Sequence, residues 1–260
     1  MNLISSEGSE ILKVSELELS YGEHVVLRDL SFSVKKGECM AIMGSSGCGK
    51  STLLKSMIGL LRPQSGEILI GGIPLWGRGQ ELNTMVARSF GVLFQGSALW
   101  SSMTLLENVL LPLETFSKLS SRERRDLAFY KLSLVGLSGS ESLYPSQLSG
   151  GMKKRAGIAR ALALDPQILF FDEPSAGLDP VNSQILDELI NDLKKNLGLT
   201  FVIVSHDIQS IFSISDQAVF LSSTTKTVAE QGKTADLLSQ EKESELSDFL
   251  QSFRSLGLRA

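Results

Sequence analysis

The chain has 260 residues, 42% apolar and 21% charged, which suits one sizeable globular domain or a core with a subdomain. A formal net charge of −4 gives no electrostatic footprint for nucleic acid, and no apolar run approaches the length that spans a bilayer. The opening MNLISSEGSE has neither a basic stretch nor an apolar one, so no signal peptide is expected.

Residues 11 to 40 read as strands. Leu17, Leu19 and Tyr21 alternate, as do Leu30, Phe32 and Val34, with YGEH as the turn between two runs. CMAIMG is a continuous apolar run that ends in glycine, the pattern of a buried strand. Beyond a glycine-rich loop, Leu53, Leu54, Met57, Ile58 and Leu61 recur at helical spacing, and Pro63 is expected to close that helix. GEILIGG is a further short strand. From about Thr104 to Leu148 the pattern turns helical and more polar, as an insertion within an α/β core. QILFFDEP reads as a buried strand, residues 181 to 197 as a long helix, TFVIVSHD as a strand and QAVFLSS as a strand at the sheet edge. Strands alternating with helices predict a mostly parallel sheet. The tail places Leu246, Phe249, Leu250 and Phe253 on one helical face, which could dock on its own core or reach a partner; a partner or dimer contact is the expectation.

Two glycine loops stand far apart, both shaped for an anion. The first, GSSGCGKST (Gly44 to Thr52), matches the P-loop spacing and sits between an apolar strand and an amphipathic helix. Glycines let backbone N–H groups turn inward on phosphate oxygens, and the helix N-terminus adds partial positive charge. Lys50 would reach the outer phosphates, Ser51 would ligate Mg²⁺, and Thr52 would bond an inner phosphate oxygen. One of the two cysteines, Cys48, lies inside this loop, where a disulfide would strain it; both it and Cys39 are expected as reduced thiols. Asp172 and Glu173 end the apolar run Ile168 to Phe171, where an α/β sheet presents ligand groups. Asp172 would hold Mg²⁺ through water and Glu173 would take the proton of an attacking water. These parts define a Mg–nucleotide hydrolase of the P-loop class.

The second loop, LSGGMKKR, begins a predicted helix after Ser149 that runs to about Leu164. Ser149, Gly150 and Gly151 leave its first N–H groups open to an anion. Lys153, Lys154 and Arg155 fall in the early turns, where cations oppose the helix dipole; they could face an arriving anion or simply water.

With these motifs in order, the sequence resembles the ATP-binding cassette (ABC) ATPases over about residues 12 to 235. The motifs are Tyr21 in SYGEHVVL, the P-loop, Gln95 in VLFQGSALW, LSGGM, FFDEP, SAGLDP and His206 in VSHD. The resemblance implies an α/β P-loop NTPase (RecA-like) core with an antiparallel β subdomain and an inserted α-helical subdomain. Its expected divisions are residues 1–94, the N-terminal β subdomain and P-loop part of the core; 95–159, the helical subdomain; 160–233, the rest of the core; and 234–260, a helical tail. It further implies that Tyr21 stacks on adenine beside Val26. The backbone of Gly44, Ser45, Ser46, Gly47, Cys48 and Gly49 would cradle phosphate, and Gln95 would contact Mg²⁺ and the attacking water. Ser149, Gly150 and Gly151 would bind the γ-phosphate held by another copy, Asp179 would cross the dimer interface, and His206 would hold the γ-phosphate. The implied assembly is an ATP-dependent homodimer, peripheral on the cytoplasmic face of the inner membrane, driving a membrane permease.

LSGGM in place of LSGGQ, together with ENVLLPLE (Glu107 to Glu114), looks like the ATPases of MCE-type lipid transport systems, with a phospholipid or related cargo and an MCE-domain partner. The alternatives are an ATPase for an amino-acid or lipoprotein transporter, or a soluble ABC protein acting on ribosomes or DNA. Leu99, Trp100, Met103, Leu105 and Leu106 are expected to contribute an apolar groove for a coupling helix of the permease.

Overall fold

The structure is a computed structural model and describes residues 9–77, 79, 81–239 and 244–254. β1 (Glu10–Tyr21) and β2 (His24–Lys35) form an antiparallel hairpin that turns at Gly22, whose φ of 59° is one that glycine adopts freely. β3 (Cys39–Gly44) leaves this hairpin and enters a second sheet, buried along its whole length.

After β3 comes α1 (Lys50–Met57). It stops well before Pro63. Gly59, at φ 77°, takes the left-handed position, its N–H bonds the Ser56 carbonyl and the Leu60 N–H bonds that of Lys55. This double closure is a Schellman stop, so glycine ends the helix and proline does not. β4 (Ser65–Ile70) returns to β1, and β5 (Ile73–Pro74) completes a four-stranded sheet in the order β2-β1-β4-β5.

A short α2 (Thr84–Ala87) leads to β6 (Phe90–Leu93), an edge strand of the second sheet that the sequence pattern did not reveal. Then come the inserted helices α3 (Leu105–Phe116), α4 (Ser121–Leu134) and α5 (Gly150–Ala161). Capping boxes start two of them, Thr104 with Glu107 and Ser120 with Glu123. The chain goes on through β7 (Ile168–Asp172), α6 (Pro180–Leu197), β8 (Thr200–Val204), α7 (Ile208–Ile214), β9 (Gln217–Leu221), β10 (Val228–Lys233), α8 (Thr234–Leu238) and α9 (Glu245–Arg254).

The second sheet has the order β10-β9-β3-β8-β7-β6. β9 is therefore not the edge that QAVFLSS suggested: it pairs in parallel with β3 and antiparallel with β10, which takes the edge. The remaining pairs are all parallel, and their register is close. Ile42 faces Val204, Asp172 faces Val204 and Leu93 faces Phe171. The C-terminal ends of β3, β8, β7 and β6 thus emerge side by side, which is where open α/β sheets place their ligand groups.

Three apolar clusters hold the layers. One joins the first sheet to α1 and one face of the second sheet; another joins the opposite face to α3, α4, α5 and α6. The third packs α7, α8 and α9 on Ala41, Met43 and Phe220. Leu246 and Leu250 of α9 are buried in it and the Phe249 ring lies 5.4 Å from that of Phe220, so the apolar face of this helix docks on its own core. The Phe253 side chain lies outside the described residues.

Candidate functional site

The loop after β3 needs two of its glycines. A Cβ on Gly44 would meet the Cys48 sulfur at 2.5 Å and the Leu221 carbonyl at 2.8 Å, and one on Gly49 would meet Leu27 Cγ at 2.8 Å and Val26 Cγ1 at 3.1 Å. Both also hold positive φ, 150° and 105°. The same contacts press β2 onto the loop. Val26 is half-buried there, and Tyr21, 51% exposed, stands at the hairpin end of the neighbouring strand. No side chain caps α1, so its first N–H groups stay open to an anion.

Lys50 lies across the loop, its Nζ donating to the carbonyls of Gly44 at 2.8 Å and Ser45 at 2.9 Å. Ser46, Gly47 and Ser51 are exposed, and Ser45 and Thr52 are half-buried. Cys48 is buried and free, as is Cys39, and burial pushes both thiols up, keeping them protonated.

Asp172 and Glu173 leave the end of β7. Glu173 adopts φ 47°, a left-handed conformation that costs a non-glycine residue, and its N–H bonds the Val204 carbonyl at 2.8 Å. Asp172 Oδ1 and Glu173 Oε2 are buried without a hydrogen-bond partner. His206 Nδ1 comes within 2.8 Å of Glu173 Oε2, but off the hydrogen-bond direction. Burial raises the Asp172 carboxyl above its ordinary value, the Glu173 carboxylate adds to this, and Lys55, Lys154 and Lys50 oppose it. An orphaned Asp172 oxygen and a Glu173 oxygen met by His206, both near Lys50 of the P-loop, are donors that a hard divalent cation and a water can use, and Mg²⁺ fits them.

Ser149, Gly150 and Gly151 lie elsewhere. Ser149 caps α5, its Oγ accepting from the Met152 N–H at 3.2 Å. A Cβ on Gly151 would meet Asn182 Oδ1 at 2.8 Å, and one on Gly150 would meet Leu178 at 3.3 Å. These three residues therefore sit beside the start of α6. Among the described residues, no hydrogen bond or ion pair joins them to residues 44–52. Asp179 caps α6 through Oδ1, which accepts from the N–H groups of Val181 and Asn182, and these bonds hold its carboxyl below the usual range.

Of the three cations that follow, two bond backbone carbonyls of their own chain. Lys154 is buried, its Nζ donating to the Gln95 carbonyl at 2.6 Å and the Glu173 carbonyl at 3.1 Å. Arg155 donates to the carbonyls of Val135 and Gly136, both at 3.1 Å, at the end of α4. Arg160, which sequence reasoning passed over, donates to the carbonyls of Ser97 and Ala98. Gly157 between them was the available signal, since a Cβ there would strike Leu93 at 2.6 Å.

The expected groove is only partly what the sequence suggested. Leu105 and Leu106 are buried in the helical core, and Leu99 packs against it. Trp100, 58% exposed, instead lines a groove with Arg88, Pro112, Thr115 and Phe116, the Arg88 guanidinium lying 4.7 Å over the Phe116 ring.

Sheet order, loop and acidic strand end together define a P-loop α/β protein with helices inserted between β6 and β7. The chain belongs to the ABC transporter family, whose model matches residues 27–176. It is 39% identical over 240 residues to the Haemophilus influenzae intermembrane phospholipid transport system ATP-binding protein MlaF, a match covering 92% of this chain and 90% of that one. It is 43% identical over 205 residues to the Mycobacterium tuberculosis probable ribonucleotide transport ATP-binding protein mkl, covering 79% of this chain and 57% of that one. The chain thus spans little more than half the length of mkl. Among solved structures, cbiO1 from Clostridium perfringens superposes with a TM-score of 0.81 at 30% identity, covering 98% of this chain and 96% of that one. The dimeric ATP-binding cassette MJ0796 bound to ADP and Pi gives 0.75 at 32% identity, covering 86% and 98%. Among the described residues, no helix is long and apolar enough to cross a membrane.

Proposed function

We propose that the chain is the ATP-hydrolysing subunit of a transporter whose permease is a separate membrane protein, and that two copies close head to tail around two nucleotides. The observation that carries the reading is the buried acidic strand end beside the P-loop, where Asp172 Oδ1 has no hydrogen-bond partner and Glu173 Oε2 meets His206 Nδ1. Residues 44–52 take the phosphates, with Lys50 on the outer ones, and Tyr21 and Val26 take the base. Ser51, Gln95 and Asp172 hold Mg²⁺, which supplies charge neutralisation to the phosphates. Glu173 accepts the proton of the attacking water and His206 positions the γ-phosphate. Ser149, Gly150, Gly151 and Asp179 serve the nucleotide of the other copy; their place beside α6, apart from the chain's own P-loop, supports this.

The assembly sits on the cytoplasmic face of the inner membrane. The Trp100 groove takes the permease, and residues 95–159 form the helical subdomain that carries it. The cargo is phospholipid or a related lipid, with an MCE-domain protein as a further partner. The likeness to MlaF over nearly the full length of both chains favours this cargo over a ribonucleotide, since the likeness to mkl leaves much of mkl uncovered.

The test is Glu173→Gln protein with saturating Mg–ATP and its copurifying partners. Hydrolysis should fall by about 10²–10⁴, the range expected for loss of a general base, while two-copy particles accumulate by light scattering. A variant that stays monomeric and hydrolyses normally would overturn the reading. Recovery of a polytopic permease together with an MCE-domain protein from mild detergent supports the lipid cargo; a permease recovered with any other binding protein refutes it.

A further inference from the structure

α5 does two things at once. Its N-terminus presents Ser149 and Gly150 at the chain surface, with Gly151 buried behind them, while its body grips the loops that carry Gln95 and Glu173. Lys154 is 5% exposed, and its Nζ joins the carbonyls of Gln95 and Glu173, which lie on separate loops after β6 and β7. Roughly one and two-thirds turns further on, Arg160 holds the carbonyls of Ser97 and Ala98. Three of the four residues so gripped are in costly conformations: Ser97 at φ 62°, Ala98 at 48° and Glu173 at 47°. Backbone held in this region persists only where its surroundings over-determine it. Gly157 completes the fit by letting α5 lie against Leu93 and Ser97.

An α-helix rises 1.5 Å per residue and does not stretch, so Lys154 sits roughly 7.5 Å down the axis from Ser149 and moves with it. Any tilt or shift of α5 that seats Ser149 on an anion therefore pulls on Gln95 and Glu173. Burial lowers the Lys154 pKa, yet the neighbouring Glu173 and Asp172 carboxylates favour its ammonium form.

We infer that Lys154 is a positioning residue that couples the two nucleotide sites of the dimer, setting Gln95 and Glu173 in one site according to how α5 is seated on the nucleotide of the other. The inference rests on the ATPase reading above. It adds a residue which touches neither nucleotide and acts through two carbonyls.

The experiment compares Lys154→Met, which keeps the length and removes the donors, with Lys154→Arg, which keeps them. Both are made in the full chain with its copurifying partners. Lys154→Met should lower kcat at least about tenfold while ADP affinity stays within about twofold, a split expected of lost transition-state alignment and not of lost binding. Its ATP dependence should lose sigmoidicity, and Lys154→Arg should recover most of the rate. In the nucleotide-free chain, amide exchange in Lys154→Met should quicken at residues 94–98 and 173–176 and stay unchanged at residues 44–52.

Unchanged kcat and sigmoidicity in Lys154→Met would overturn the proposal. So would a joint fall of kcat, ADP affinity and melting temperature that Lys154→Arg does not repair, since that marks a general strut. If the native chain hydrolyses no ATP, the ATPase reading fails by itself, and the exchange arm still decides whether Lys154 positions the two loops.

Discussion

Asp187 is a carboxylate that the nucleotide site does not use. It is buried on α6, and burial lifts its pKa from 3.8 to about 6; Asp207 and Glu188 push the same way and the Ser210 hydroxyl resists. Between those two values the folded chain binds more protons than the unfolded chain, so stability falls as pH rises through the window and the full penalty is present above it. Asp187→Asn should therefore raise unfolding free energy by about 1–3 kcal/mol at pH 8, the upper end being the whole shift, and by about half as much at pH 5. Urea midpoints at the two pH values check this; variants that track the native chain at both would show that burial carries no penalty here. At this scale, what was legible in the sequence was whatever ends a strand. Lys50, Asp172, Glu173 and His206 could be placed because an apolar run points at each. Lys154 could not, since its acceptors are carbonyls 59 and 19 residues away, and a carbonyl leaves no mark on the sequence.

Elements were legible where apolar periodicity was strong and illegible where other forces set them. β10, VAEQGK, alternates half-buried and exposed residues with little apolar content, so it left β9 looking like the edge. Hydrophobic spacing continues past the Schellman stop at Gly59, so periodicity alone carries α1 on to Pro63. The start of α3 hides a polar device. Asn108 is fully buried; its Oδ1 accepts from the Trp100 N–H at 2.8 Å, and its Nδ2 donates to the carbonyls of Trp100, Met103 and Thr104 at 3.2, 3.1 and 2.9 Å. One side chain thereby pins the loop that carries Trp100 onto the helix. Asn108→Leu fills the space but strands a buried N–H and its carbonyls, so it should cost about 2–4 kcal/mol of stability. Denaturant unfolding measures the loss, and a change below about 0.5 kcal/mol would mean that water replaces the amide.

At the scale of the whole molecule, the proposed function divides each nucleotide site between two copies of the chain. The P-loop and its acidic partners gather at the C-terminal ends of β3, β7 and β8, while Ser149 to Gly151 lie beside α6. The separation of the two glycine loops raised this arrangement from sequence; their packing could not be read there, because it depends on Asn182 and Leu178 of a different element. Mixing experiments test it. Lys50→Ala removes the P-loop cation, and Ser149→Arg blocks the facing half-site. Each should be inactive alone. In an equal mixture, half of the symmetric pairs combine one chain of each kind, and each such pair holds one site built from two intact halves. If the sites fired independently, the mixture would recover about a quarter of the native rate. If Lys154 couples them, the blocked neighbour weakens the intact site, and recovery falls below that figure yet above zero. A mixture as inactive as its parts would refute a site shared between copies, and recovery at the full quarter would leave the sharing intact but deny the coupling.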